Sequence, residues 1–427
     1  MRNKLIYVSY IFFMSFFMSC KIQDENFSQS SIITQNNKND VIEVNPIAYH
    51  INDSITNVFL EINKENLLYK RTDTGLVFYA ELNINYKLFY ESNNKGQIEQ
   101  GSYFIIDRAD EGLASRKAIY YNFKIKTNLH QNYNLQLEVI DANKKNKYQF
   151  YLPIDRISPY SKQNFLLIKN HQIIYKPNLL PFDTINIKFF KPSINRIYVD
   201  CFNKDFEQAV PPFSIKEADV LKYKPDTSFQ RLLDSSEVQL IMPSCGFLQV
   251  KFNQDNNEGL SLYCYNQTFP GIINTEEMIN CTSYIMNKEE FDKCKNSIEK
   301  KEAIDNFWLS IGGSNERARE LIKLYYGRVY EANKYYTSYT QGWKTDRGMI
   351  HIVFGQPSAI YRNKKDEIWV YGNASNPEAL RFIFNKTDNP YSNNDYVLER
   401  SFIYKLIWQN AIDFWKQGLI YYDLRTR

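Results

Sequence analysis

The middle of the chain alternates hydrophobic and polar residues with a period of two. In one run, four apolar residues share one side of the chain: Leu82, Ile84, Tyr86 and Leu88. The same alternation recurs in four further runs, over residues 133–139, 185–189, 238–242 and 248–252. Because Asn, Asp, Gly and Pro separate these runs, the pattern predicts half-buried antiparallel strands. We therefore expect two tandem Ig-like β-sandwiches, over residues 43–157 and 158–273.

Near residue 274 helical spacing replaces this alternation. A charged helix is predicted from Lys288 to Leu309, and a Gly312-Gly313 pair ends it. Ser314 is placed to cap a second helix, in which apolar residues recur every three or four positions: Ala318, Leu321, Tyr325, Val329, Ala332 and Tyr336. We predict that residues 274–427 form an α+β domain with a helix pair and a small antiparallel sheet. The fold class is thus mostly β with a C-terminal α+β domain.

An ordered motif follows the second helix. Its pattern is carried by Gly342, Trp343, Thr345, Asp346, Arg347, Gly348, Gly355 and Pro357. This string resembles the GWxTD domain, a family found in envelope proteins of Bacteroidota. The likeness extends upstream to Tyr326–Asn333 and downstream to Glu367–Tyr371. The resemblance implies β-sandwich modules ahead of the domain, and it implies no established general activity.

In a structural interpretation, the motif connects the helix to the sheet. Gly342 and Gly348 bracket a tight turn, and each is able to take a positive φ. Met349–Phe354 is then a strand that joins two further strands, Glu367–Tyr371 and Leu380–Phe384, in the small sheet.

A functional interpretation makes the motif a site in which Asp346 orients His351 as a base beside Arg347. A further alternative is that the motif surface binds a ligand or a partner. The sequence favours the structural interpretation, because it contains no nucleophile elbow, zinc-protease, Walker A or dinucleotide-binding motif. We therefore predict no catalytic residue, no metal site and no cofactor.

Residues 1–19 have the pattern of an export signal. Arg2 and Lys4 precede an apolar run that is shorter than the ~20 residues of a membrane-spanning helix. The run ends in Ser19-Cys20, which resembles the lipobox of bacterial lipoproteins and implies acylation of the Cys20 thiol. An ordinary signal peptide or an uncleaved anchor is the alternative.

The segment that follows Cys20 is polar. Residues 20–42 bury too little apolar surface to fold by themselves, so we expect a flexible tether. The acidic pair Asp24-Glu25 resembles the surface-export signal of Bacteroidota lipoproteins. This resemblance favours a lipid-anchored outer-membrane protein at the cell surface over one on the periplasmic face.

Charge and metal-ligand content exclude two classes of protein. The 427-residue chain has a net charge of +4, and two of its cations lie in the predicted signal, so no electrostatic footprint for nucleic acid remains. The four histidines are scattered and no CxxC pair occurs, which excludes a zinc cluster.

Five cysteines lie beyond Cys20: Cys201, Cys245, Cys264, Cys281 and Cys294. Cys281 and Cys294 flank a predicted helix start. The sequence allows either a disulfide between these two or buried free thiols.

The tail from residue 401 predicts a helix with Ile403, Leu406, Ile407 and Ala411 on its apolar side. Four aromatic residues of the domain fit either core packing or a partner interface: Trp369, Tyr371, Phe414 and Trp415.

Three functions fit these features. The first is a non-enzymatic accessory or scaffolding subunit of an outer-membrane assembly, in protein biogenesis or secretion. The second is a surface glycan- or peptide-binding lipoprotein, and the third is a hydrolase at the motif turn. We favour the first, with envelope proteins and the lipid bilayer as partners.

Overall fold

The protein is described by a computed structural model that covers residues 31–34, 42–73, 75, 77–91, 93–109, 117–190, 195–203, 206–215, 223–233, 236–244, 246–363 and 365–419. The chain divides into two units, Met1–Ser30 and Ser31–Arg427, and every described residue lies in the second. The predicted signal peptide, Cys20, the pair Asp24-Glu25 and Cys245 lie outside the described residues. The described part is mostly β, with several antiparallel sheets and a C-terminal helical region, which confirms the predicted fold class.

The first strand, β1 (Ser31–Thr34), belongs to the C-terminal sheet. The next eight strands build the first sandwich: β2 (Val44–Asn52), β3 (Ile55–Asn63), β4 (Lys70–Arg71), β5 (Phe78–Tyr90), β6 (Asn93–Ala109), β7 (Ala118–Lys126), β8 (Asn132–Asp141) and β9 (Asn146–Asp155). One sheet has the order β2-β3-β7, and the other has the order β4-β5-β8-β9 with β6 also paired to β5. The predicted alternation of β5 is confirmed, since Leu82, Ile84, Tyr86 and Leu88 are all buried between the sheets.

Nine strands build the second sandwich: β10 (Phe165–Lys169), β11 (Gln172–Ile173), β12 (Asn178–Leu179), β13 (Thr184–Phe189), β14 (Arg196–Phe202), β15 (Thr227–Leu232), β16 (Glu237–Ile241), β17 (Gly246–Lys251) and β18 (Leu260–Cys264). Its sheets have the orders β11-β10-β13-β16 and β12-β18-β17-β14-β15. The side chains that face each other across this sandwich are buried, as in Ile187 of β13 and Val250 of β17.

Six helices follow: α1 (Thr275–Thr282), α2 (Lys288–Asn296), α3 (Lys300–Gly312), α4 (Asn315–Tyr336), α5 (Asp346–Phe354) and α6 (Tyr404–Lys416). The α4 prediction is confirmed, because Ser314 caps the helix and its predicted apolar stripe is buried. The predicted Lys288–Leu309 helix is two helices, since α2 ends at Asn296 and α3 begins at Lys300. In the described part of the chain, no helix combines the length and the apolar character needed to cross a bilayer.

The predicted strand Met349–Phe354 is wrong, because these residues belong to helix α5. All nine residues of α5 are buried, so the helix has no solvent-exposed side, and five of its last six residues are apolar. An element of this kind gives a run of apolar residues that resembles a buried strand.

The C-terminal sheet contains β19 (Ala359–Arg362), β20 (Asp366–Tyr371), β21 (Leu380–Lys386) and β22 (Tyr396–Leu398), in the antiparallel order β1-β19-β20-β21-β22. The two strands predicted within it are confirmed as β20 and β21. Residues 31–34 fall in the predicted tether, yet their backbone forms β1 and pairs with β19, Ser31 lying opposite Arg362. This part of the predicted tether is therefore a sheet strand.

Cys281 and Cys294 are separate free thiols, so the disulfide alternative is wrong and the free-thiol alternative is confirmed. The Sγ of Cys281 donates to the carbonyl oxygen of Met278 at 3.3 Å. Burial raises the pKa of both thiols, which keeps them protonated and unreactive near neutral pH.

Candidate functional site

The motif turn starts helix α5. Residues 342–344 form a 3₁₀ turn, and Thr345 is the N-cap of the helix. The Thr345 hydroxyl accepts a hydrogen bond from the Gly348 N–H (3.1 Å) and donates one to the Gly342 carbonyl oxygen (2.8 Å). The Thr345 side chain therefore pairs a backbone N–H in the first turn of α5 that has no partner within the helix, and it also fixes the 3₁₀ turn before the helix.

Gly342 and Gly348 each lie where another stretch of main chain leaves no room for a side chain. A Cβ on Gly342 would lie 1.9 Å from the Ala332 carbonyl oxygen, and a Cβ on Gly348 would lie 1.9 Å from the Gly342 carbonyl oxygen. Neither residue has a positive φ, whereas Gly355, which ends α5, has a φ of 84°. Gly342 and Gly348 therefore do not use their ability to take a positive φ, and the packing instead requires the lack of a side chain.

Trp343 is buried beside the end of α4. Its indole Nε1 donates to Gln341 Oε1 (2.6 Å), and its backbone N–H donates to Asn333 Oδ1 (3.1 Å). The indole ring also contacts Tyr284 edge-on. These contacts attach the motif turn to the end of α4 and to the 3₁₀ turn that carries Tyr284.

Asp346 is bound to the last residue of β22 and to the segment that follows it. Its carboxylate accepts the Leu398 N–H (2.8 Å) and forms a two-point ion pair with Arg400, in which Nη1 lies 3.0 Å from Oδ2. Bidentate pairs of this kind fix orientation as well as charge. Asp346 thus connects the start of α5 to the chain that leads into α6.

Arg347 is the most enclosed cation of the motif. Its guanidinium lies 4.1 Å from the Tyr396 ring centroid and donates to Asn394 Oδ1 (2.6 Å) and to Glu367 Oε2 (3.3 Å). Glu367 is 1% exposed and also accepts from Arg362 Nε (3.0 Å). Burial favours the neutral form of Glu367, but the charges of Arg362 and Arg347 outweigh it and hold the pKa of this carboxyl below its usual range.

His351 and Asp346 contact different partners. The Nε2 of His351 lies 2.9 Å from Glu331 Oε2 on α4, while Asp346 binds Arg400. The structure brings the motif residues Asp346, Arg347 and His351 onto one helix, but it does not join them in one pocket. The charged residues that complete the site are Glu331, Glu367 and Arg400. Glu331 and Glu367 fall in the segments that share the family likeness, whereas Arg400 lies outside them and could have been indicated only by its charge.

The carboxyl end of α5 is satisfied by side chains from other helices. Arg328 Nη1 on α4 donates to the carbonyl oxygens of Ile352 (3.0 Å) and Val353 (3.1 Å). The Trp415 Nε1 on α6 also donates to the Val353 carbonyl oxygen (3.0 Å). A cation at this end of a helix also complements the helix dipole.

Three of the four aromatic residues proposed for an interface are core residues. Trp369, Tyr371 and Trp415 are buried, so the interface prediction is wrong for them and the core-packing alternative holds. Phe414 is half-buried. On α6 the buried side is Tyr404, Trp408, Ala411 and Trp415 rather than the predicted Ile403 and Leu406.

Two surface cavities occur away from the motif. A cleft of 280 Å³ lies where the two sandwiches meet α4, and Glu43 bridges it by accepting from Lys176 (3.1 Å) and Lys334 (2.8 Å). The other cavity, of 370 Å³, is lined by residues 65–68 and Lys144. Among the residues that the structure covers, no group of three His, Cys, Asp or Glu side chains could hold a metal ion.

A segment of the second sandwich lies against the motif. We call residues 206–215, between β14 and β15, the strap. The Ala209 N–H donates to the Lys344 carbonyl oxygen (2.8 Å), and Lys344 Nζ donates to the Phe206 carbonyl oxygen (3.1 Å). The strap could not be predicted from the sequence pattern. Its hydrogen bonds to Lys344 involve main-chain groups, and the bonded residues lie more than a hundred positions apart in the sequence.

Aromatic side chains join the same two regions. This aromatic junction comprises Phe202, Phe206, Phe247, Tyr263, Tyr339 and Tyr391. The Phe202 and Phe247 rings stack with centroids 4.4 Å apart, and the Tyr263 hydroxyl donates to the Tyr391 carbonyl oxygen. The side chains of Phe247 on β17 and Tyr263 on β18 are therefore covered by the strap and by the C-terminal loops that carry Tyr339 and Tyr391.

The family model of the GWxTD domain matches residues 246–417. The chain contains a GWxTD domain. The match begins at β17, before the start at residue 274 that the sequence pattern predicts, and so includes the strands that carry Phe247 and Tyr263. The strap lies outside the matched residues, although it contacts the motif that gives the GWxTD domain its name. No curated protein matches the chain.

Proposed function

We propose that the protein is a lipoprotein of the Bacteroidota envelope, acylated at Cys20, that acts without catalysis as a scaffolding subunit of an outer-membrane assembly. The envelope location and the acylation rest on the sequence pattern of residues 1–25. Envelope proteins are the proposed partners, in protein biogenesis or secretion.

The observation that carries the proposal is the pairing of the charged motif side chains. Asp346 is held by Arg400, Arg347 by Glu367 and His351 by Glu331. Side chains in this state organise the domain and are not directed at a substrate. The GWxTD motif therefore supports a structural role, and the binding surface is expected elsewhere on the domain.

An exposed apolar surface at the start of α6 supports contact with a partner. Phe402, Ile403 and Leu406 are 72%, 72% and 67% exposed, and we call them the α6 patch. Clustered large apolar side chains on a protein surface are typical of interaction sites.

Affinity purification of the chain from envelopes in mild detergent tests the proposal. We expect stable envelope partners with the natural chain and loss of those partners with Phe402→Ser/Ile403→Ser/Leu406→Ser. The matched control is Phe104→Ser/Ile106→Ser, which removes exposed apolar residues from the first sandwich and should leave the partners in place. A chain that purifies alone, or equal recovery with both variants, would contradict the proposal.

The two alternatives gain less support from the geometry. A glycan-binding sandwich predicts a line of exposed aromatic residues, but Phe104, Tyr120 and Tyr151 lie on the non-adjacent strands β6, β7 and β9. A hydrolase predicts a pocket that joins Asp346 to His351, and these residues have separate partners.

A further inference from the structure

The strap is held by hydrogen bonds to its main chain and by contacts of its side chains, among them the Gln208 Nε2 donor to Ser283 Oγ (2.7 Å). On the motif side, Lys344 accepts the Ala209 N–H through its carbonyl oxygen and donates from Nζ to the Phe206 carbonyl oxygen. A single motif residue therefore recognises both a donor and an acceptor of the strap backbone.

The segment after β22 recognises the other half of the strap. Arg400 Nη2 donates to the Val210 carbonyl oxygen (3.3 Å), and the Ser401 N–H donates to the Pro212 carbonyl oxygen (3.1 Å). Arg400 is the same side chain that binds Asp346 of the motif. The strap thus crosses the motif from the turn to the Asp346–Arg400 pair.

The groove and the strap have complementary hydrogen-bonding chemistry. The groove offers three donors, from Lys344 Nζ, Arg400 Nη2 and the Ser401 N–H, against a single main-chain acceptor. Pro211 and Pro212 have no N–H, so they leave no donor unsatisfied in such a groove. Proline also holds the residue before it in an extended conformation, which suits a segment that lies across a surface.

The strap also fills an apolar surface beneath it. Pro212 is buried, and Ala209 and Phe213 pack against the hydrophobic core of the GWxTD domain. Main-chain hydrogen bonds together with a few side-chain contacts are the usual basis of peptide recognition.

From these contacts we infer that the surface formed by Lys344, Arg400 and Ser401 is a peptide-binding groove for an extended, proline-containing segment with apolar residues on both sides of the proline pair. In this chain the strap occupies the groove as an internal ligand. Because the hydrogen bonds from Lys344, Arg400 and Ser401 are made to main chain, and Ala209 and Phe213 add apolar contacts, the groove accepts the same type of segment from a separate molecule when the strap is removed. This inference goes beyond the proposed envelope function and does not depend on it.

The test uses the full chain with residues 206–215 replaced by a Gly/Ser segment of equal length. The probe is a fluorescein-labelled synthetic peptide with the sequence of residues 206–215, and fluorescence anisotropy measures its binding. We expect saturable binding to the replaced chain that is at least tenfold tighter than binding to the natural chain, whose own strap competes at high effective concentration. A scrambled peptide is the control. A replaced chain that is folded by circular dichroism and does not bind the peptide overturns the inference.

Two further measurements complete the test, and the second of them uses the natural chain. A peptide that is N-methylated at the Ala209 position lacks the donor for the Lys344 carbonyl oxygen, and we expect about tenfold weaker binding. If the replaced chain does not fold, hydrogen exchange is measured on the natural chain. Saturating peptide should then speed exchange of the Ala209 amide by displacing the strap, and unchanged exchange overturns the inference.

Discussion

Replacement of Glu367 by Gln should strongly destabilise the GWxTD domain. The substitution keeps the size of the side chain and an acceptor for the Trp369 indole, but it removes the negative charge. Arg347, whose side chain is 4% exposed, is then buried without a counter-charge. Breaking a buried pair in this way costs about 3–5 kcal/mol.

Arg362→Gln is the matched control. Arg362 contacts the same carboxylate, but its side chain is 37% exposed, and Glu367 keeps Arg347 as a partner when it is removed. Because Arg362 is partly exposed and Glu367 keeps the Arg347 charge, we expect Arg362→Gln to cost less than Glu367→Gln. The two variants remove opposite members of one network, so they separate the cost of an unpaired buried charge from the cost of a lost contact.

Urea unfolding followed by tryptophan fluorescence measures both variants. The five tryptophans of the chain, Trp308, Trp343, Trp369, Trp408 and Trp415, all lie within the GWxTD domain, so excitation at the red edge of the absorption band reports on this domain alone. Because the pKa of Glu367 is lowered in the folded state, its contribution is present above the unfolded pKa and is lost as the pH falls below it. If Glu367→Gln costs no more than Arg362→Gln near neutral pH, the argument from an uncompensated buried charge is refuted.

Three further predictions concern single positions. Gly348→Ala should lower the free energy of unfolding by about 1–3 kcal/mol in the same urea assay, because its Cβ would lie 1.9 Å from the Gly342 carbonyl oxygen. Gly327→Ala in α4 is the control. Its Cβ would meet no atom within 4 Å, so this variant should be more stable by about 0.5–1 kcal/mol. Burial and the nearby Arg156 cation lower the pKa of His50 to about 4. The free energy of unfolding of the first sandwich should therefore fall by on the order of 3 kcal/mol as the pH falls from 6.5 to 4. Urea unfolding followed by far-UV circular dichroism at several pH values measures this loss, and a stability that does not change with pH would contradict it. Glu43→Gln should lower the free energy of unfolding by about 1 kcal/mol. This loss should be smaller in high salt, because the ion pairs of Glu43 with Lys176 and Lys334 are partly exposed. A loss that salt leaves unchanged would exclude an ionic origin.

Periodic patterns predicted the elements that have one buried side. The alternation in β5 and the apolar stripe of α4 are both confirmed, because each element faces water on its other side. Helix α5 could not be predicted from periodicity, since all nine of its residues are buried. Its end signals were available, because Thr345 is a good N-cap and Gly355 follows its last residue.

The partners of the motif could not be predicted from one sequence. Arg347 binds Glu367 and Asp346 binds Arg400, and each pair is selected by the tertiary fold from many acidic and basic residues. The buried side of helix α6 could not be predicted either, because apolar residues recur at helical spacing on two of its sides. Packing buries the side that contains Trp408 and leaves Leu406 exposed.

The contact between the strap and the motif limits how the GWxTD domain can be exchanged between genes by recombination. A recombination event that joined residues 274–427 to a different partner would leave behind the strap, Phe247 and Tyr263. The transferred piece would then expose aromatic surface and unpaired backbone groups that its new neighbour does not cover. The second sandwich and the GWxTD domain are therefore expected to move between genes together, as a unit larger than either fold.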